Sequence, residues 1–264
     1  GILILLLSAC SEDFLDLQPK TFQNSSTFYQ TEAQFELAVN GIYAPLQDIY
    51  NDRMWTLAEM RSDNTTYQGN HPVGAYLYNV DIDEFQVQDN NSVVASFYND
   101  SYSSISRSNV VLDRIGDANF DQDKKNQFVG EAKFLRALNY FNLVRICGDV
   151  ILSLHQIETT EEALSGTRTS ASEVYNSIIA DLLDAIELLP NPANKDGRAT
   201  ERAARTLLAE VYMTRGDFPS AITQLREVTN LGYQLLPDYA DIYDPSNKNH
   251  AESIFEIQYL EGEF

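Results

Sequence analysis

The fold is decided by the stretch Gly130-Glu131-Ala132-Lys133-Phe134-Leu135-Arg136-Ala137-Leu138-Asn139-Tyr140-Phe141-Asn142-Leu143-Val144-Arg145. It lies within residues 126–146, where apolar side chains recur every three or four residues: Phe128, Ala132, Leu135, Leu138, Phe141 and Val144. This spacing predicts a central helix that is buried on a wide face. We expect the charged side chains of this helix to pair with one another along it: Glu131, Lys133, Arg136 and Arg145.

Helical spacing recurs on both sides of this stretch. It predicts further helices over residues 31–49, 95–115, 170–190, 200–215 and 219–231. Ser170 and Glu173 form a capping box, and Pro190 ends the helix that follows it. Gly216 supplies the turn between the last two helices, and Pro219 suits a first helical turn. The chain is therefore predicted to be mainly α-helical.

The last two helices match the register of a tetratricopeptide repeat. With Tyr212 as the key aromatic, the apolar positions of the 34-residue pattern fall on Leu208, Ala209, Ala221, Leu225 and Val228. The closing Pro is absent, because Tyr233 stands there. Helices 126–146 and 170–190 would form another pair, but the long gap between them breaks the strict period. We predict a few tetratricopeptide-like helical pairs with irregular loop insertions.

Residues 60–94 show little periodicity and are rich in Tyr, Asn, Gln, Thr and Gly. Long irregular segments in compact domains are often functional. Aromatic faces stack on the CH groups of sugars, and amides and carboxylates bond to their hydroxyls. Two interpretations stay open: a binding surface for such a ligand, or an ordinary polar surface loop.

The two ends of the chain carry different signals. Residues 1–9 are apolar and end at Leu7-Ser8-Ala9-Cys10, which is typical of a lipobox in which Cys10 is lipidated. The alternative is a truncated buried strand. At the other end, alternation over Glu252–Tyr259 predicts a strand. We expect residues 1–9 to be a partial lipoprotein signal peptide and residues 10–264 to be one domain, truncated at its C-terminus.

The composition excludes several functions. The chain has 39 acidic and 18 basic residues, a net charge of −21, which disfavours binding to nucleic acid and to anionic lipid. Its three histidines are isolated, and no Cys-x-x-Cys, phosphate-binding glycine loop or nucleophile elbow occurs. The acidic runs at 81–84 and 121–123 do not continue as calcium loops. We predict no metal, no cofactor and no catalytic residue, and Cys147 as a small core residue.

The quoted stretch resembles the signature helix of the SusD/RagB family of outer-membrane lipoproteins. Further matches lie at Ala38–Tyr43, at Arg107 and Asn109, and at Gly197–Thr200, and together they cover the chain after the signal. The sequence departs from the family at three positions. Cys147 and Tyr98 replace an aromatic residue and a Trp that many members carry, and Ile151 replaces a Pro.

The resemblance implies a SusD-like α-helical scaffold with a few short strands, and a function in binding rather than catalysis. Such proteins are lipid-anchored at the cell surface in the outer membrane. They capture oligosaccharides and deliver them to a SusC-like TonB-dependent transporter. The candidate ligand residues lie in the irregular segment: Asp63, Asn64, Tyr67, Tyr76 and Tyr78.

Two other functions stay open. The same type of receptor could carry peptide, or the chain could be an envelope scaffold whose tetratricopeptide-like helices organise other proteins without a small ligand. The membrane is contacted through the lipid anchor alone in each of these interpretations.

Overall fold

The computed structural model describes residues 28–67, 76–191, 197–232 and 234–259. The predicted lipobox and Cys10 lie outside these residues. The helices are α1 (Glu32–Asp48), α2 (Met54–Glu59), α3 (Tyr76–Asp83), α4 (Ser92–Arg114), α5 (Gln122–Cys147), α6 (Thr160–Ser165), α7 (Ala171–Leu188), α8 (Glu201–Thr214) and α9 (Phe218–Asn230). Two short strands, β1 (Val150–Ile151) and β2 (Arg168–Thr169), pair antiparallel.

The helices stack in chain order. Helix α1 packs against α4, α4 against α5, α5 against α7, α7 against α8, and α8 against α9. The prediction of a mainly helical chain built from helical pairs is confirmed, with α1/α4, α5/α7 and α8/α9 as the pairs. Residues 49–91 are inserted within the first pair, and residues 148–170 within the second.

Helix α5 lies at the centre of the stack and is buried on nearly all sides from Gly130 to Val144. Gly130 is required for this packing. A Cβ at that position would lie 2.9 Å from the Leu189 Cγ atom, closer than real Cβ contacts come. The sequence predicted a wide buried face, and the structure shows helices on both sides of α5, which leaves little of it exposed.

The charges of α5 pair with neighbouring segments and not along the helix, so that prediction is wrong. Glu131 is the only acidic residue in the quoted stretch, so its three cations need carboxylates from elsewhere. The observed pairs are Glu131 with Arg198, Lys133 with Asp184, Arg136 with Asp181, and Arg145 with Glu210.

The Arg136 guanidinium is the centre of a buried network. Its Nε and Nη2 atoms donate to the two carboxylate oxygens of Asp181 at 2.7 and 2.8 Å. Its Nη1 atom donates to Asn109 Oδ1 at 2.8 Å and to the Leu154 carbonyl at 2.9 Å. The Asn109 side-chain amide donates in turn to the carbonyls of Ser153 and His155. One cation thereby connects α4, α5, α7 and the segment after β1.

A second network surrounds the buried Glu131 carboxylate. It accepts hydrogen bonds from the Tyr43 hydroxyl at 2.7 Å, from Arg198 Nε at 3.0 Å and from Gln127 Nε2 at 3.0 Å. Burial raises the pKa of Glu131, and Arg198 opposes that effect. Arg198 Nη1 also donates to Asn40 Oδ1 at 2.7 Å. This network joins α1 and α5 to the segment before α8.

The helix ends follow most of their predicted chemistry. Ser170 caps α7 by accepting from the Glu173 N–H, but the Glu173 carboxylate accepts from the Ser170 hydroxyl and not from its N–H, so only half of the predicted capping box forms. Gly216 has a φ of 78°, which suits the turn before α9. In the repeat register, Leu208, Ala209, Ala221 and Val228 are buried as expected, whereas Leu225 is 37% exposed.

Two predictions about secondary structure are wrong. Residues 252–259 form no strand, because none of the described strands lies beside them: Gln47 of α1 donates to the Gln258 carbonyl, and the Phe255 ring packs against Phe134. The segment 60–94 was expected to be non-helical, but α3 lies within it.

The described residues contain neither a membrane-spanning helix nor a cluster of metal-binding side chains. None of their helices is long and apolar enough to cross a bilayer. No group of three or more His, Cys, Asp or Glu residues is arranged there to hold a metal ion. Cys147 is a free cysteine, half-buried against the core.

The two carboxylates that face α5 from α7 should differ sharply in their contribution to stability. We expect Asp181→Ala to lower the free energy of unfolding by about 3–5 kcal/mol, because it leaves the buried Arg136 cation unpaired. The matched change Asp184→Ala removes the exposed partner of Lys133 and should cost about 0–1 kcal/mol. Urea unfolding of both variants measures the difference, and equal losses would contradict the role given to Arg136.

Candidate functional site

The insertion segment is defined here as residues 49–91, between α1 and α4. A π-helical turn at Ile49–Arg53 connects α1 to α2, a feature often found near functional sites. A turn at 60–67 follows α2, and α3 and an extended stretch lead to α4. This segment carries several exposed large apolar side chains: Trp55, Leu77, Phe85 and Val87.

The sequence-predicted ligand residues fall in two parts of this segment. Asp63 and Asn64 are exposed in the turn after α2, and Tyr67 is half-buried beside them. Tyr76 and Tyr78 lie on α3, so they are not in an irregular loop as expected. The Tyr78 side chain is half-buried. The grouping of these five residues as a ligand site stays a prediction.

Hydrogen bonds hold the turn at 60–67 against α3. The Asp83 carboxylate accepts from the Thr66 hydroxyl at 3.1 Å and from the Tyr67 N–H at 3.0 Å. The hydroxyls of Ser62 and Thr65 both donate to the Glu59 carbonyl at 2.7 Å, at the end of α2. Tyr67 is therefore positioned by both helices of the insertion segment.

Tyr98, which stands where the related family often has Trp, lies on the α4 helix near this segment. Its ring packs at 4.5 Å from the Tyr102 ring. The Tyr102 hydroxyl donates to the Ile151 carbonyl at 2.6 Å, and burial raises the pKa of Tyr102. These contacts hold Tyr98 half-buried against the core.

Phe85 is held in a strained conformation at the surface. Its φ is 56°, a left-handed value that costs a bulky residue roughly 1–3 kcal/mol. Its side chain is nevertheless 67% exposed, so the ring gains little from burial. The Arg61 guanidinium lies 5.7 Å from the centre of the ring. A strained and exposed aromatic residue is a reason to suspect a role in binding.

A pocket of about 340 Å³ lies beside Phe85. One face of α2 and its extension form a wall, with residues at spacings of three, four and seven: Met54, Leu57, Ala58 and Arg61. Phe85 and the end of α5, Arg145 and Ile146, complete the lining. The volume falls within the usual range for small-molecule sites.

Sequence reasoning missed this pocket. The spacing of Met54, Leu57, Ala58 and Arg61 is a helical signal that was available in the sequence. This helical spacing is hard to recognise in the sequence, because its last member, Arg61, lies within the irregular segment 60–94. The contributions of Phe85 and of the end of α5 carried no local signal, since they depend on how α5 packs near the insertion.

A larger cavity of about 560 Å³ lies between α1, the start of α5 and residues 256–258. Most of its polar groups bond to other protein groups, as in the Glu131 network and the bond from Gln47 Nε2 to the Gln258 carbonyl. Arg198 Nη2 is a buried donor with no partner in the described residues. The cavity has room for water, which would satisfy such a donor.

Comparison with known proteins identifies relatives of this chain. The model of the SusD-like family described as starch-binding and associating with the outer membrane matches residues 13–213. A SusD-like protein of Formosa agariphila, P2, is 29% identical over 265 residues, which cover 98% of this chain and 52% of the relative.

Solved structures of the same family share the fold. A SusD-like protein from Bacteroides fragilis has a TM-score of 0.76 at 30% identity, covering 91% of this chain and 47% of that one. A laminarin-binding SusD-like protein has a TM-score of 0.78 at 28% identity, covering 86% and 51%. The chain thus spans about half the length of the relatives it matches.

Replacing Phe85 should separate the cost of its backbone conformation from the contribution of its ring. We expect Phe85→Gly to be more stable than Phe85→Ala by about 1 kcal/mol, because Gly adopts a positive φ without strain. At Val87, where φ is not positive, the same pair should show the opposite order. Urea unfolding checks both pairs, and an Ala variant at 85 more stable than the Gly variant would refute the strain.

Proposed function

Because this chain belongs to the SusD-like family, we propose that it is a glycan-binding protein of the outer membrane. It captures oligosaccharides at the cell surface and delivers them to a SusC-like TonB-dependent transporter. It acts by binding and release, without catalysing a reaction. The helical stack is the scaffold, and the insertion segment carries ligand-binding side chains.

The observation that carries this proposal is the shared fold with a laminarin-binding SusD-like protein at 28% identity. The insertion segment supports it. Exposed Asp63 and Asn64 supply acceptors and donors for sugar hydroxyls, and Tyr67 supplies an aromatic ring beside them. The Asp83 bonds and the packing of α2 fix this surface on rigid helices, which lowers the entropy lost on binding.

The anchoring part of the proposal rests on the lipobox. Lipidation of Cys10 would tie the domain to the membrane without a spanning helix, since each buried CH₂ contributes about 0.8 kcal/mol. The family description, association with the outer membrane, agrees with this arrangement.

The direct test of glycan capture is electrophoresis of the purified protein, expressed from Ser11 onward, in native gels containing single polysaccharides. We expect at least one polysaccharide to retard the protein. Tyr67→Ala should weaken that interaction about tenfold, because loss of an aromatic contact costs on the order of 1 kcal/mol. Tyr239→Ala removes an exposed ring outside the insertion segment and serves as the control for loss of an aromatic side chain.

Each outcome distinguishes the alternatives. Equal retardation of both variants would support the glycan-receptor function but show that Tyr67 does not contact the glycan. No retardation by any polysaccharide would contradict glycan capture and favour peptide cargo or an envelope scaffold. Breakdown of a retained polysaccharide into oligosaccharides would contradict the claim that the protein is not an enzyme.

The anchor has its own test. We expect Cys10→Ala to release the protein from the outer-membrane fraction in cells that lack the transporter, because no acyl chain can then be attached. Fractionation followed by immunoblotting measures the shift, and Cys147→Ala is the control that retains the anchor. Sedimentation of the Cys10 variant with membranes at the wild-type level would contradict lipidation at this residue.

A further inference from the structure

Two arginines, Arg61 and Arg168, lie near the C-terminal end of α5. Five of the described arginines form ion pairs with carboxylates, among them Arg136, Arg145 and Arg198. Arg61 and Arg168 form no such pair. Burial raises the pKa of the Cys147 thiol, and the positive charges of Arg61 and Arg168 oppose that shift.

Two of these arginines line the pocket beside Phe85. Arg61 and Arg145 are the charged members of a lining that is otherwise apolar, and no carboxylate belongs to it. This arrangement is unusual in a chain with 39 acidic and 18 basic residues. Both arginines are exposed, and the planar donors of a guanidinium suit two oxyanion oxygens at once.

We propose that this pocket binds an acidic sugar unit of the captured glycan, with Arg61 donating to its carboxylate or sulfate oxygens. The Phe85 ring and the Met54 and Ile146 side chains contact the CH face of the sugar. Arg145 is held in the wall by Glu210 at 2.9 Å, and because this carboxylate offsets its charge, the attraction for an anion comes from Arg61. This inference rests on the proposed glycan-binding function and narrows its ligand to anionic polysaccharides.

The strained, exposed conformation of Phe85 is explained better by contact with a ligand than by a contribution to the stability of the fold. A left-handed backbone exposes the Phe85 ring, and among the described residues only Arg61 contacts it as a cation, so the fold gains little from the arrangement. A competing explanation is that Arg61 complements the negative end of the α5 helix dipole. That role would make Arg61 important for stability and leave ligand binding unchanged when it is replaced.

The experiment uses polysaccharides in matched pairs that differ in charge. Polygalacturonate is compared with its methyl ester, and κ-carrageenan with its desulfated form; laminarin and xyloglucan are neutral probes. Affinity gels are run with the wild-type protein, with Arg61→Gln and with Arg226→Gln. Arg226 is an exposed arginine on α9, and its replacement removes the same charge away from the pocket.

We expect an acidic polymer to bind at least about tenfold more tightly than its neutral form. Arg61→Gln should remove most of that preference, while Arg226→Gln keeps it. The members of each pair are compared at one NaCl concentration, because salt screens both the attraction of Arg61 and the repulsion between a polyanion and the net charge of −21. Whether the uronate or the sulfate pair shows the effect identifies the anionic group.

Three results would overturn the inference. Binding to neutral polysaccharides alone would keep the proposed function and refute the acidic ligand. Lower thermal stability of Arg61→Gln, with unchanged preference between the members of a pair, would assign Arg61 to the helix end. Absence of binding to every polysaccharide would refute the proposed function together with the inference.

Discussion

The burial of one cation sets the arrangement of this fold. Arg136 is nearly inaccessible to water, and a buried guanidinium is tolerated only when its donors are satisfied. Here the donors reach Asp181 on α7, Asn109 on α4 and a carbonyl in the segment after β1. These partners meet only when three helices adopt one relative position. The constraint fixes the direction of α5, and with it the place of Arg145 and Ile146 at the wall of the pocket.

The rest of the molecule divides into a support and a surface. The support is the helical stack. In it, the buried Glu131 carboxylate, like the buried Arg136 cation, is satisfied by groups from neighbouring segments. The surface is the insertion segment, which is held by fewer and more exposed bonds such as those to Asp83. A rigid base under a less constrained surface is a common arrangement for ligand binding, since loops carry recognition and helices supply precision.

The scaffold was largely predictable from the sequence, and the pocket was not. Periodic apolar residues and caps such as Ser170 and Thr200 are local signals, so most of the long helices were placed within a few residues of their ends. The pairing of charges on α5 was mispredicted because a carboxylate that is distant in sequence, Asp181, leaves no local trace. The strand expected at 252–259 failed for a similar reason: alternation says nothing about whether a partner strand exists.

The nearest-neighbour packing of the helices has an evolutionary consequence. Each long helix of the stack contacts mainly the one before and the one after it, so the insertion segment joins α1 to α4 without passing through the core of another pair. Lengthening or rewriting residues 60–90 would leave the buried networks in place. Selection can therefore exchange the proposed recognition surface while the scaffold drifts slowly, which would allow one architecture to diversify toward many ligands.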